Sequence, residues 1–193
     1  LTPGSGTRRH VAAALIGLGA VVALLGATSS EAVASTSDTC ALLANGLAGT
    51  VDERAFLDAL TAGSIRMTEM LARDGEGATH LLRTTVRGAR DVGEARVIAR
   101  SLVNSPLIKT MVYGADPNVG RILMAVGKCV DCTIDRERTS AWINGHEVLT
   151  NGVRLDFDDG VVRTALGSEV VDIVVALGVG DAQATAYGCD LTQ

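Results

Sequence analysis

The chain has 193 residues, of which 47% are hydrophobic and 20% charged, a balance that excludes a disordered protein and is enough to bury a core. Its formal net charge of −5 and its 3% content of aromatic residues leave neither a basic surface nor base-stacking platforms for nucleic acid.

Residues 1–34 form an atypical segment. Thr2–Thr7 is rich in Gly, Pro, Ser and Thr, and Arg8 and Arg9 precede an uncharged run from Val11 to Ser30. Basic residues, an apolar stretch and a small-residue end resemble a signal peptide. A buried helix is the competing reading. The abrupt change of composition near Glu31 favours a segment foreign to the domain that follows, and any membrane contact is confined to residues 8–30.

From Ser35 onward helices and strands alternate. Ser35–Thr39 supplies N-cap residues ahead of Cys40–Ala44, a helix-start signal that Asn45 and Gly46 would end. A helix is predicted over 52–72, with Phe56, Leu60, Met67 and Leu71 on one face. A Thr/Val-rich strand follows at 79–88, then a helix over 91–103 carrying a stripe of Val92, Ala95, Ala99 and Leu102. Leu107–Tyr113 is a short apolar run behind Pro106 and is predicted as a strand. A turn at 114–118 and a short helix at 119–127 come next. Beyond Cys132 the chain is strand-rich, with strands at 139–143, 148–149, 170–177 and 182–189 and a turn at 178–181. The apolar stretch Val170–Leu177 reads as a buried central strand. The class is α/β, divided into a main part, 35–132, and a smaller C-terminal part, 133–193.

Few residues carry obvious chemistry. Cys129 and Cys132 form a C-x-x-C, but the other cysteines, Cys40 and Cys189, and the three histidines, His10, His80 and His146, offer no zinc spacing. The pair reads as buried or casual thiols, and no metal is expected. No histidine is placed for a Ser or Cys triad, and no phosphate-binding glycine motif is present. Two clusters remain. In Asp74-Gly75-Glu76-Gly77 a carboxylate sits between glycines, which lets a ligand approach the backbone; a solvated helix-to-strand turn explains the same residues. Gly114–Arg121 packs the carboxylate of Asp116, the amide of Asn118, the guanidinium of Arg121 and two glycines into eight residues at the end of the strand predicted over 107–113, and loops at strand ends carry function; an Asx turn fixed by Pro117 is the alternative.

Several blocks resemble the ornithine acetyltransferase (glutamate N-acetyltransferase) family. They are Ser35–Thr39 with Leu42–Gly46, Asp74–Ala78 (DGEGA), Asn104–Thr110 (NSPLIKT), Gly114–Val126 (GADPNVGRILMAV) and Gly178–Thr192 (GVGDAQATAYGCDLT). All occur in family order over roughly residues 33–192, where the chain resembles the family's β chain. The resemblance implies a layered α/β sandwich with a smaller strand-rich C-terminal part. It implies a ping-pong transfer of acetyl from N-acetylornithine to glutamate in arginine biosynthesis, in the cytoplasm and without a cofactor. Family members cleave their own precursor before a threonine, which becomes the β chain's N-terminal nucleophile. A Thr-Gly pair of the α chain forms the oxyanion hole, and αβ heterodimers assemble into a heterotetramer. Glu76 matches the family's substrate-binding glutamate and is expected to meet the substrate's amino group. Asp116, Asn118 and Arg121 match a block expected to be mainly structural near the site.

The departures are specific. Val119 stands where the family usually has Trp. The nucleophilic threonine is not recognisable, since Thr2 follows Leu1 and nothing around it matches, and the family's substrate-binding tail beyond the residues matching Leu191 and Thr192 has no counterpart. No catalytic residue is therefore assigned, and the isolated chain is expected to be inactive. The alternative function is a non-catalytic, exported or membrane-anchored domain that keeps the fold and an amino-acid pocket.

Overall fold

The computed structural model describes Ala14–Leu15, Val22–Ala23 and residues 52–191. Thr2, the helix-start signal at Ser35–Thr39 and all but four residues of the signal-like run lie outside the described residues. The chain divides into two compact units, Leu1–Met67 and Thr68–Gln193. The first contains two short strands, β1 (Ala14–Leu15) and β2 (Val22–Ala23), paired antiparallel, and most of helix α1 (Glu53–Arg73). The Asp52 carboxylate caps α1 by accepting the Ala55 N–H at 2.7 Å. None of its residues is buried. No helix among the described residues is long and apolar enough to cross a membrane.

The second unit is built on one six-stranded sheet, with strand order β6-β5-β4-β7-β3-β8. Its strands are β3 (Leu81–Ala89), β4 (Ser140–Ile143), β5 (His146–Thr150), β6 (Val153–Arg154), β7 (Val170–Ala176) and β8 (Ala182–Cys189). β3 and β7 run parallel; the other pairs are antiparallel. Residues on both sides of position 132 therefore share one sheet. Helices α2 (Val92–Asn104), α3 (Pro106–Tyr113), α4 (Gly120–Gly127) and α5 (Asp159–Leu166) complete the unit, with a 3-10 turn at Arg136–Arg138.

One face of the sheet carries the core. Leu82 and Val86 of β3, Ile173 and Val175 of β7, and Ala141 and Ile143 of β4 pack in one cluster with Ile98, Ala99 and Leu102 of α2 and Ile122 of α4. Thr84, the polar residue in this row, donates its hydroxyl to the Ala99 carbonyl at 2.9 Å, which removes the cost of burying it. The opposite face mixes polar side chains with Val170, Val174 and Trp142 and is largely half-exposed. There Arg83 grips Asp172 with two guanidinium nitrogens, Thr85 meets Thr185 at 3.0 Å, and the Arg87 guanidinium lies 4.5 Å from the centre of the Trp142 ring. β7 is interior to the sheet as expected, but buried only at alternate residues.

Three elements differ from expectation, one of them the short strand β6, which was not anticipated. Residues 107–113 are not a strand but helix α3. Ser105 caps it by accepting from the Ile108 N–H, and Pro106 occupies the first turn, where its missing N–H costs nothing. Ile108, Met111 and Val112 then fall at helical spacing and are all buried. Helix α5 was not anticipated; Asp158 caps it, and Val162, Ala165 and Leu166 form its buried stripe.

The GVGD turn closes the sheet against β3. Both the Val179 and Gly180 N–H groups donate to the Gly88 carbonyl, at 2.9 and 3.0 Å. A Cβ on Gly180 would lie 2.3 Å from the Ala89 carbonyl oxygen, a backbone atom that has no freedom to swing aside. Gly180→Ala is expected to destabilise the unit by about 1–3 kcal/mol, the usual cost of forcing in an extra methyl. Urea unfolding checks this, and an unchanged midpoint would show that the turn relaxes freely.

Candidate functional site

Glu76 sits at the tip of a tight turn. The Ala78 N–H donates to the Gly75 carbonyl at 2.9 Å, and Gly77 has φ 76°. That is the arrangement of a type II β-turn, whose third position needs a positive φ and hence glycine. Glu76 occupies the second position and is exposed. Its carboxylate makes no hydrogen bond or ion pair among the described residues, so it is free to receive a ligand's cation.

The chain leaving this turn is held by Asp190, whose side chain is fully buried. Asp190 Oδ1 accepts the N–H groups of Thr79 at 2.9 Å and His80 at 3.1 Å. Its Oδ2 accepts the Thr79 hydroxyl at 2.7 Å and meets His80 Nδ1 at 2.7 Å. Burial alone pushes the Asp190 carboxyl up, but the hydrogen bonds from His80 and Thr79 outweigh it and leave the group below its usual range. Lys109 closes the assembly from α3, donating Nζ to the carbonyls of Cys189 at 2.9 Å and Asp190 at 3.4 Å. Thr79 and His80, directly after the DGEGA block, thus meet GCDLT where β3 begins and β8 ends, with NSPLIKT joining through Lys109.

The cluster of Thr79, His80 and Asp190 is not a nucleophilic triad. A triad holds the carboxylate and the hydroxyl on opposite ring nitrogens, whereas both Thr79 and Asp190 lie against His80 Nδ1. The arrangement is a clamp on the strand start.

The second predicted cluster ties α3 to α4. Arg121 pairs with Asp116 at 3.1 Å and donates to the Thr110 hydroxyl at 2.9 Å and the Leu107 carbonyl at 3.2 Å. Pro117 is buried and Asn118 exposed. Asn118 shapes the turn through its backbone, its N–H donating to the Asp116 carbonyl at 2.6 Å and its carbonyl accepting from Arg121. No hydrogen bond or ion pair joins Glu76 to Asp116, Asn118 or Arg121. Helix α3 is the link between the clusters, with Lys109 facing Asp190 and its neighbour Thr110 facing Arg121.

A separate concavity of about 430 Å³, lined by Asn144, His146, Val161, Thr164, Ala165 and Ser168, includes none of these residues. Among the described residues no group of three or more His, Cys, Asp or Glu side chains is placed to hold a metal ion. Sequence reasoning missed Lys109, Thr79, His80 and Asp190 as a group. Lys109 and Asp190 stood inside recognised blocks, but nothing local marks a contact across 111 positions.

A mixed six-stranded sheet with helices packed on one face is the α/β architecture that the sequence led us to expect. The chain belongs to the ArgJ family, whose model matches residues 25–193. It is 45% identical over 173 residues to the glutamate N-acetyltransferase Oat2 of Streptomyces clavuligerus, covering 86% of this chain and 44% of that protein. It is 44% identical over 170 residues to the arginine biosynthesis bifunctional protein ArgJ of Rhodococcoides fascians, covering 82% and 40%. The chain thus spans less than half the length of these relatives. The crystal structure of ArgJ from Bacillus halodurans superposes with a TM-score of 0.76 at 34% identity, over 85% of this chain and 80% of that one. Nothing in these comparisons favours an exported or membrane-anchored binding domain.

Proposed function

We propose that this chain supplies the β-type half of a glutamate N-acetyltransferase that moves acetyl from N-acetylornithine to glutamate in arginine biosynthesis. The observation that carries the reading is the 45% identity to Oat2, a protein named for that activity, through a stretch that includes Glu76. The reaction runs in two halves. A threonine hydroxyl takes the acetyl group with release of ornithine, and glutamate's amine then removes it. The threonine and its oxyanion hole come from parts of the enzyme outside the blocks matched here, so an α chain is the partner. The αβ pair assembles into a heterotetramer and works in the cytoplasm.

In this scheme Glu76 holds the substrate's free ammonium group. Its turn presents the carboxylate outward, and Asp190 and Lys109 fix the chain on which the turn stands. Asp116 and Arg121 set the angle between α3 and α4 beside it, with Asn118 shaping the turn. Glu76→Gln keeps the shape and removes the charge. It should weaken binding of ornithine-like ligands by about 1.5–3 kcal/mol, the usual worth of a hydrogen bond to a charged group, and leave folding nearly unchanged. The test is calorimetric titration of N-acetylornithine and glutamate into wild type and variant, each combined with the α chain of a relative. Equal affinities would remove Glu76 from the site, and absence of binding in both would overturn the reading itself.

A further inference from the structure

The thiols of Cys129 and Cys132 have no part in the proposed acetyl transfer, yet the fold holds them side by side. Helix α4 ends at Gly127 with Lys128 as its cap, and the four residues from Cys129 to Cys132 then make a tight turn in which the Cys132 N–H donates to the Cys129 carbonyl at 3.0 Å. A β-turn keeps its first and fourth Cα atoms within about 7 Å, which overlaps the span of about 4.4–6.8 Å that a disulfide requires. Both cysteines are free thiols, Cys129 buried and Cys132 half-buried.

The backbone on each side of the turn is anchored. Cys129 packs in the core cluster, and its Sγ lies 3.8 Å from the Ala125 carbonyl one helical turn back. Beyond Cys132, Thr133 donates its N–H at 3.1 Å and its hydroxyl at 3.3 Å to Oε1 of Glu94. Glu94 is itself buried in the first turn of α2 and paired with Arg90 at 2.7 Å. Its other oxygen, Oε2, is buried without a partner among the described residues. The two cysteines therefore do not drift apart independently; they are presented by one rigid turn between α4 and α2.

We propose that Cys129 and Cys132 are a reversible dithiol–disulfide pair, a modification site that reacts with low-molecular-weight disulfides. The half-buried Cys132 reacts first. Its thiolate, having given its proton to solvent, attacks one sulfur of RS–SR, forms a mixed disulfide and expels RS⁻. Cys129, losing its own proton, then attacks Cys132 Sγ, and the second RS⁻ departs. Two protein S–H bonds are lost, one S–S bond forms, and RS–SR is reduced to two RSH once the released protons are taken up. Exposure fixes the order, since Cys129 is too buried to meet the oxidant first. Burial, the Cys129 sulfur and the carboxylates Glu94, Asp131 and Asp91 push the Cys132 thiol up, so little thiolate is present and the pair responds slowly.

The test uses the whole chain incubated with excess oxidised glutathione, followed by alkylation after unfolding and peptide mapping. The expected result is loss of two alkylatable thiols, both in the peptide spanning Cys129 and Cys132, with no retained glutathione there and full recovery after dithiothreitol. Cys129→Ser should instead trap a stable glutathione adduct on Cys132. Two free thiols at these positions after oxidation of the wild type, or a stable glutathione adduct in place of the internal bond, would overturn the proposal.

Discussion

Asp190→Ala is expected to cost about 3–5 kcal/mol of folding stability, the range for removing one partner of a buried ionic or hydrogen-bonded pair. Asp190 is fully buried and receives four contacts, from two backbone N–H groups, one hydroxyl and one imidazole. Alanine leaves these donors facing each other across a space without an acceptor, and each orphaned group carries its desolvation cost. Asp190→Asn retains one carbonyl oxygen and should cost less. The pH dependence follows from the direction of the shift. Because the folded state holds the Asp190 carboxyl below its ordinary value, the unfolded chain takes up the proton first as pH falls. The stabilisation is therefore complete well above about 4, the unfolded carboxyl's value, and disappears as pH drops through the lower folded value. Urea unfolding at neutral and acid pH checks both statements. A neutral-pH loss below about 0.5 kcal/mol, the level of an ordinary surface substitution, would show that the clamp is not holding the strand.

The consequence for the site is local. The Gly75–Ala78 turn enters β3 only two residues before the first strand position, and Asp190 holds those two residues. Its own N–H donates to the His80 carbonyl at 3.2 Å, so the two chains grip each other in both directions. A ligand-binding carboxylate on a tight turn is useful only if the turn has a fixed base, since ordering it on binding subtracts from affinity.

Most strands and helices were legible because their periods are local. The stripe on α2 and the strands β3, β7 and β8 follow from spacing within a dozen residues, and the observed elements start and stop within a few residues of expectation. Residues 107–113 failed for an identifiable reason. An apolar run of seven residues has no period of its own, and the run was read without its cap; Ser105 followed by Pro106 is a helix start, and the buried positions 108, 111 and 112 are spaced for a helix. Asp158, the N-cap of α5, carries the same signal. Glu76, Asp116, Asn118 and Arg121 were visible as short motifs of charge and glycine, and the Asp116–Arg121 pair could be guessed from proximity. What brings Lys109, Asp190 and Thr79 together was not legible, because it depends on which strand lies beside which. The pairing of Leu81 with Cys189 sets that neighbourhood, and no local spacing encodes it.

The order of the sheet predicts a contrast within a single strand. Ile173 is fully buried in the core cluster, opposite Thr84 of β3 and Ile143 of β4. Ile173→Ala should destabilise the unit by about 2–5 kcal/mol, because a cavity lined on both sides by hydrogen-bonded strands cannot collapse to fill itself. The neighbouring Val174 points to the other face, where it is half-buried beside Thr85 and Trp142. Val174→Ala should cost clearly less, since little cavity forms where solvent already reaches. Urea midpoints for the two variants decide the matter, and their slopes should stay at the wild-type value because the surface exposed on unfolding is unchanged. Equal losses would mean that both faces of β7 are core. The amphipathic sheet would then be an error of register, since a slip by one residue exchanges the two faces.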